Sequence, residues 1–429
     1  MKQSHRIAWS VSTIFCAASA LFGCGGGDDP AVEPVTITVA GPNAVSQWNE
    51  TATTTINQPA QATGTPEERL PNTAVDLATM HVAIYDAIVA ITGTHRPYAI
   101  TPTANATGAS QEAAVAAAAY GVLFGLFPSR TAQYQAAYDA AVAAIPAGTA
   151  KTQGLAVGAE VAAGILALRA NDGRSVALAP FVPGTSAGEF RGVNPVGRAN
   201  AFIKPFSLTT IAQFRAPGPP ALTSAAYAAD VNETKALGAA TSTTRTADQT
   251  ELARFNTESP ATLNPRTMRT FAMTNRSIAD QARLMAIVWV TQADAGNACF
   301  ESKYHYLAWR PSSAITLDGD NNAATVVDAT WTPVVGTPNH PEYPAAHSCI
   351  TASMAEVLSR YYGTVQVSFD INSLVTGTTR RYRSTSAWVD EVQVARIAGG
   401  MHFRFSTVDG AALGRNVADW VLTHYFQAR

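Results

Sequence analysis

The chain has 429 residues, of which only 14 % are charged against about 25 % in an average soluble domain, and a formal net charge of −2. A balance this close to neutral offers no basic field for nucleic acid, so no polynucleotide partner is expected. The length is ample for a large buried core.

Lys2 and Arg6 precede an apolar stretch from Ile7 to Leu21 that is too short to span a bilayer as a mature helix and ends in Leu21-Phe22-Gly23-Cys24. This pattern is similar to a bacterial lipoprotein signal. Residues 1–23 then read as the signal peptide, with cleavage before Cys24 and lipid on its thiol; an ordinary secretory signal cut nearby is the alternative. On either reading the chain is exported, and on the first it is anchored by lipid alone to a bacterial membrane, on the periplasmic or cell-surface side. Residues 24–70 read as a tether and extended N-terminal segment, opening with the flexible run from Gly25 to Pro30. No later stretch is read as long and apolar enough to span a membrane.

From residue 71 onward the pattern is helical. Alanine-rich amphipathic runs lie at about 73–92, 110–126, 130–145 and 150–171, the last closed by Asn171-Asp172-Gly173. His81, inside the first run, reads as a satisfied core histidine. Residues 178–222 are rich in Pro, Gly and Phe without periodicity, and Arg215-Ala-Pro-Gly-Pro-Pro220 marks them as an ordered loop or cover. Thr246-Ala-Asp-Gln249 is a capping-box helix start, and a helix at 275–298 runs on toward Lys303. The expected fold class is all-α: one helical-bundle domain over 71–429 made of two halves, with its chemistry in 299–429. A two-domain split near residue 200 is the alternative.

Three segments of the C-terminal part carry that chemistry: Lys303-Tyr-His-Tyr-Leu-Ala-Trp-Arg310-Pro311, Pro344-Ala-Ala-His347 and Arg396-Ile-Ala-Gly-Gly-Met-His402. Lysine and arginine supply fixed positive charge and forked donors suited to a tetrahedral oxyanion, and histidines can exchange protons with whatever is held there. Lys303 and Arg310 are seven apart, about two turns on one helix face, while Pro311 biases Arg310 toward a helix end. Arg396 and His402 are six apart and would diverge on a continuous helix, so Gly399-Gly400 is the break that re-aims His402. His347 opens a helix-like run from Ser348 to Leu358, whose free N–H groups make an anion site.

Together these segments resemble the signature of the vanadium-dependent haloperoxidase and type 2 phosphatidate phosphatase superfamily, in particular its soluble exported bacterial haloperoxidase-like branch, from about residue 70 to the end. The resemblance implies paired four-helix bundles and a vanadate cofactor held by Lys303, Arg310, Arg396 and the backbone at Ala346. It makes His402 the residue that bonds the metal and His347 the acid–base group. Hydrogen peroxide and a halide, or an organic acceptor, are the implied substrates. The alternatives are an acid phosphatase with His402 as nucleophile and no cofactor, and a non-catalytic oxyanion-binding lipoprotein.

The chain departs from the signature at Ala345-Ala346, where the superfamily usually has Ser-Gly, at Ala395, where it has Ser, and at Ser406, where an aspartate usually orients the second histidine. Ser406-Thr-Val-Asp409 also fits a helix capping box. His305 and His340 match no ligand of the signature and read as pocket-wall or surface residues. Cys299 and Cys349 flank the motifs and form either one disulfide tying them together or two buried free thiols.

Overall fold

The computed structural model describes residues 33–60 and 63–429, so the signal segment, Cys24 and the run after it lie outside the described residues. The N-terminal part contributes β1 (Val35–Thr36), α1 (Ala44–Ile56), α2 (Pro66–Arg69), α3 (Thr73–Thr92), α4 (Gln111–Leu126), α5 (Thr131–Ala143) and α6 (Thr149–Arg169). After the long connection come α7 (Ala225–Gly238), α8 (Ala247–Phe255), α9 (Pro260–Ala272), α10 (Ile278–Tyr306) and the single turn α11 (Pro311–Ala314). The C-terminal part is α12 (Ala346–Tyr362), β2 (Val367–Asn372), β3 (Thr379–Tyr382), α13 (Thr385–Ala398) and α14 (Arg404–His424).

The four alanine-rich runs are α3 to α6, and the capping box at Thr246 and Gln249 opens α8. α3 packs on α4, α6 and α10 in a first bundle, while α10 also packs on α12 and α14 in a second. The 29-residue α10 is thus common to both halves and delivers Lys303 in its last turn. α3 shows why hydropathy alone misleads. It is long and apolar enough to cross a membrane by length and composition, contrary to the expectation that no such stretch exists, yet 83 % of its apolar window is buried within the fold. An apolar surface on all sides here marks a central core helix.

Within 24–70, read as extended, Ala44–Ile56 is instead a helix whose Val45, Trp48, Ala52 and Ile56 join the core. Its start is a reciprocal cap in which Asn43 Oδ1 accepts from the Ser46 N–H and Ser46 Oγ from the Asn43 N–H, at 3.1 and 2.9 Å. Serine in the place of the usual Glu or Gln hid the signal. The all-α expectation also omits a small sheet, in which β2 pairs antiparallel with β3 (Phe369 opposite Tyr382) and parallel with β1 (Val35 opposite Val367).

Two features fix the elements around the site. A Cβ at Gly414 would lie 2.1 Å from the Cys349 carbonyl oxygen and one at Gly410 2.7 Å from that of Ala345, so only glycine lets α14 sit this close to the start of α12. The Pro- and Gly-rich connection is an ordered cover, as expected. The fully buried Asp294 of α10 accepts from the N–H groups of Phe206 and Ser207, both at 2.8 Å, and pins it down.

Candidate active site

α10 does not continue to Arg310 as the helical spacing suggested. It ends at Tyr306 with Leu307 in the left-handed region (φ 50°), and Arg310 is extended, immediately before α11. The two cations still converge, because Trp309 is clamped in a satellite apolar cluster with Tyr227, Ile315, Trp331 and Phe403. Trp309 and Phe403 are the chain neighbours of Arg310 and His402, so one cluster positions both functional side chains. The Gly399-Gly400 break does what its sequence suggested. α13 ends at Ala398, Gly400 adopts φ 74°, and the Met401 and His402 N–H groups fold back onto the Arg396 carbonyl at 3.1 and 3.3 Å.

Lys303, Arg310, Arg396 and His402 are all buried, the most exposed being Arg310 at 2 %. Lys303 Nζ donates to the carbonyls of Pro341 (2.9 Å) and Glu342 (2.8 Å). Arg310 Nε donates to the His340 carbonyl, and Arg310 Nη1 to the Met401 carbonyl and to His402 Nε2, at 2.8, 2.8 and 3.1 Å. Arg396 Nη1 donates to the Asn256 carbonyl at 3.0 Å, leaving Arg396 Nε with no partner. His347 stands at the start of α12, where its Nε2 is enclosed and also without a partner. The N–H groups of Ala346, His347 and Ser348, in the first turn of that helix, have no intrahelical acceptor.

His402 is oriented by a residue the motifs do not contain. Its Nδ1–H donates to Glu342 Oε1 at 2.8 Å, and the same oxygen accepts from the Phe403 N–H at 3.1 Å. Nδ1 therefore carries the proton and Nε2 presents the lone pair. Glu342 stands five residues before His347 and Oε2 of its carboxylate is unpartnered. The sequence held one signal for it, an acidic residue within an otherwise neutral Pro-rich approach to a histidine. The capping box read at Ser406 and Asp409 is absent. α14 starts at Arg404, Ser406 is buried in its first turn 3.5 Å from His402 Nδ1, and Asp409 accepts from the Tyr343 hydroxyl at 2.7 Å. His340 belongs to the site, with a ring nitrogen 3.0 Å from Arg310 Nη2; His305 is exposed. His81 is a core histidine, its Nε2–H donating to Asn49 Oδ1 at 3.1 Å. Cys299 and Cys349 are both buried and are free thiols in this structure. The Cys299 thiol donates to the Pro344 carbonyl at 3.6 Å.

Burial governs the electrostatics. It pushes Lys303 down to about 8, Arg310 to about 10 and Arg396 to about 9, so both guanidiniums stay charged near neutrality. It raises Glu342 to about 7, against the pull of Lys303 and Arg310. Burial and the three cations together hold His347 and His402 well below the ordinary histidine value, hence neutral. Positive charges packed this tightly beside unpartnered donors fit an oxyanion, whose negative charge would offset their mutual repulsion. The residues present therefore suit a vanadate- or phosphate-like group. The site opens into a cavity of about 620 Å³ lined by His340, Ala346 and His347 and roofed in part by Val196, Gly197 and Ile203 of the cover.

Residues 283–428 match the family model for the VCPO second helical-bundle domain. Among solved structures, the chain is similar to a bacterial vanadium-dependent iodoperoxidase, with TM-score 0.71 and 21 % identity over 90 % of this chain and 95 % of that one. It is also similar to the holo form of a bacterial vanadium-dependent chloroperoxidase, with TM-score 0.66 and 16 % identity over 89 % of this chain and 97 % of that one. For the apo form of a bacterial vanadium-dependent chloroperoxidase the values are 0.63 and 14 %, over 86 % and 96 %. No curated protein sequence matches the chain.

Proposed function

We propose that the chain is a member of the vanadium haloperoxidase superfamily, a reading supported by its fold and by the match of residues 283–428 to the second helical-bundle domain, and that it is a vanadate-dependent peroxidase that oxidises halide with hydrogen peroxide. The observation that carries this reading is the buried cage of Lys303, Arg310 and Arg396, in which Arg396 Nε and the neighbouring His347 Nε2 have no partner. Lys303, Arg310, Arg396 and the free N–H groups at the start of α12 would hold vanadate, with His402 Nε2 as its protein ligand. Bound vanadate supplies a Lewis-acid centre at which peroxide becomes reactive toward halide.

The chain's own residues do the rest. The Glu342 carboxylate fixes the tautomer of His402 and makes Nε2 more basic. Arg310 Nη1 donates to that Nε2 in this structure, so it must yield the lone pair and turn its N–H toward the oxyanion when the site fills. His347, kept neutral by burial and by Arg396, Lys303 and Arg310, is ready to accept the proton of incoming peroxide on Nε2 and return it to a departing oxygen.

One observation also favours the phosphatase alternative: a carboxylate-oriented histidine beside an oxyanion cage equally suits attack of Nε2 on phosphorus. Purified apoprotein assayed with and without orthovanadate separates the two. The proposal expects vanadate-dependent triiodide formation from iodide and peroxide. Hydrolysis of p-nitrophenyl phosphate that vanadate inhibits, with no triiodide, would establish the phosphatase instead. We further propose, from Leu21-Phe22-Gly23-Cys24 alone, that the chain is exported and anchored through lipid on Cys24.

A further inference from the structure

His402 is held by a helix that lies outside the matched residues 283–428. Tyr227, Asp230, Val231 and Thr234 of α7 follow the spacing of a single helix face. That face meets the chain neighbours of both Arg310 and His402. The Tyr227 hydroxyl accepts from Trp309 Nε1 at 3.1 Å, and its ring centroid lies 6.1 Å from that of Phe403. Val231 joins the same apolar cluster. Asp230 Oδ2 accepts from the Phe405 N–H at 2.7 Å, and the fully buried Thr234 donates its hydroxyl to the His402 carbonyl at 3.2 Å.

Neither polar contact is the default of its own helix. A threonine inside a helix commonly donates to the carbonyl four residues back, as Thr53, Thr79 and Thr267 do here at 2.7, 2.8 and 2.9 Å. Thr234 instead reaches across to a carbonyl 168 residues later in the chain. α14 starts at Arg404 with Phe403 as its N-cap and no capping side chain of its own, so Asp230 supplies from α7 an acceptor that the helix lacks. The partly exposed Arg404–Glu233 pair binds the same two helices and contributes less. The His402 N–H is thus committed to Arg396, its carbonyl to Thr234 and its Nδ1–H to Glu342, which leaves Nε2 for the oxyanion. Arg310 Nη1 has to leave that Nε2 when the site fills, and a backbone fixed at three points lets it do so without displacing the imidazole.

We propose that Thr234 and Asp230 are positioning residues of the oxyanion site, which aim His402 Nε2 by holding the His402 carbonyl and the first turn of α14. The inference rests on the reading of the cage as an oxyanion site, whichever chemistry follows, and adds to it the helix that seats the histidine.

Thr234→Val keeps the shape of the side chain and removes the donor, while Thr234→Ser keeps the donor. Calorimetric titration with orthovanadate should show binding about three- to tenfold weaker in Thr234→Val, the size expected for one hydrogen bond, and near wild type in Thr234→Ser. Asp230→Ala should also weaken binding, although loss of a negative charge near an anion site would by itself tighten it, and Asp230→Asn, which keeps an acceptor, should recover part of the loss. Thr267→Val deletes a buried threonine hydrogen bond in α9 and should leave vanadate affinity unchanged, which controls for lost stability. ¹⁵N-edited spectra read the geometry without vanadate: the His402 Nδ1–H resonance, identified by its absence from His402→Gln, should shift in Thr234→Val and return in Thr234→Ser. Should Thr234→Val not fold, the two Asp230 variants carry the same comparison. Affinity and resonance both unchanged in Thr234→Val and Asp230→Ala, or an equal loss of affinity in Thr267→Val, overturns the proposal. A wild type that binds no vanadate would instead remove the oxyanion reading, and the resonance alone would then decide whether α7 positions His402.

Discussion

Replacing Glu342 by Gln removes one charge and almost no volume, so it isolates what the carboxylate does for His402. In the wild type the Nδ1–H donates to an anionic oxygen at 2.8 Å, in a site where no water competes. A hydrogen bond to a charged group contributes about 1.5–3 kcal/mol and a neutral one about 0.5–1.5, so the substitution forfeits roughly 1–1.5 kcal/mol of support for the imidazole as a ligand. That corresponds to vanadate binding about five- to tenfold weaker.

The sign is diagnostic. Deleting a negative charge beside a cage for an anion should, by Coulomb's law alone, tighten vanadate binding. Weaker binding can therefore arise only through His402. Calorimetric titration of vanadate at pH 7.5, just above the value of about 7 to which burial raises Glu342, measures the balance with most of the carboxylate ionised. ¹⁵N spectra of the histidines would show in parallel whether Nδ1 keeps its proton. Unchanged or tighter vanadate binding in Glu342→Gln, with the same ¹⁵N pattern as the wild type, would refute the claim that Glu342 acts through His402.

His402→Ala should abolish turnover of either type and weaken vanadate binding at least a hundredfold; near wild-type activity in the folded variant would reassign the ligand. Ala345→Ser places a hydroxyl at the N-cap of α12, now without a side-chain cap, and should raise stability by about 1 kcal/mol in urea unfolding. If the hydroxyl faces the cage instead, vanadate binding tightens up to about tenfold at unchanged stability, and a variant that changes neither quantity shows that residue 345 serves neither purpose. His81, pushed down to about 3 by burial, binds fewer protons folded than unfolded below pH 6.5, so its stabilisation is complete above that pH and is lost as pH falls, at about 1.36 kcal/mol per unit. Between pH 7.5 and 5 the wild type should therefore lose about 2 kcal/mol more than His81→Gln in urea midpoints, and equal losses would place the acid sensitivity elsewhere. Cys24→Ser should eliminate incorporation of labelled fatty acid, and a variant that still carries label contradicts lipidation at that thiol.

The parts of this molecule legible in its sequence are those where one physical signal acts over a short stretch. Alanine-rich periodicity gave α3 to α6, and the glycine pair at 399–400 announced the turn that brings His402 back beside Arg396. The failures share a different cause, namely that a tertiary contact chose between local options that look equivalent along the chain. Ser406 and Asp409 satisfy a capping pattern, but Gly410 and Gly414 let α14 press against α12, and Phe403 is locked in the Trp309 cluster, so the helix begins earlier and Ser406 is drawn inside. Arg310 looked like the next turn of α10, yet the cluster around Trp309 pulls the chain out of the helix after Tyr306. Glu342 was the hardest to see, since a carboxylate that orients a histidine 60 residues later has no spacing to betray it. What identifies it is the packing: a fully buried acid is tolerated only where buried donors meet it, and here the donors are the imidazole and the backbone N–H that follows it.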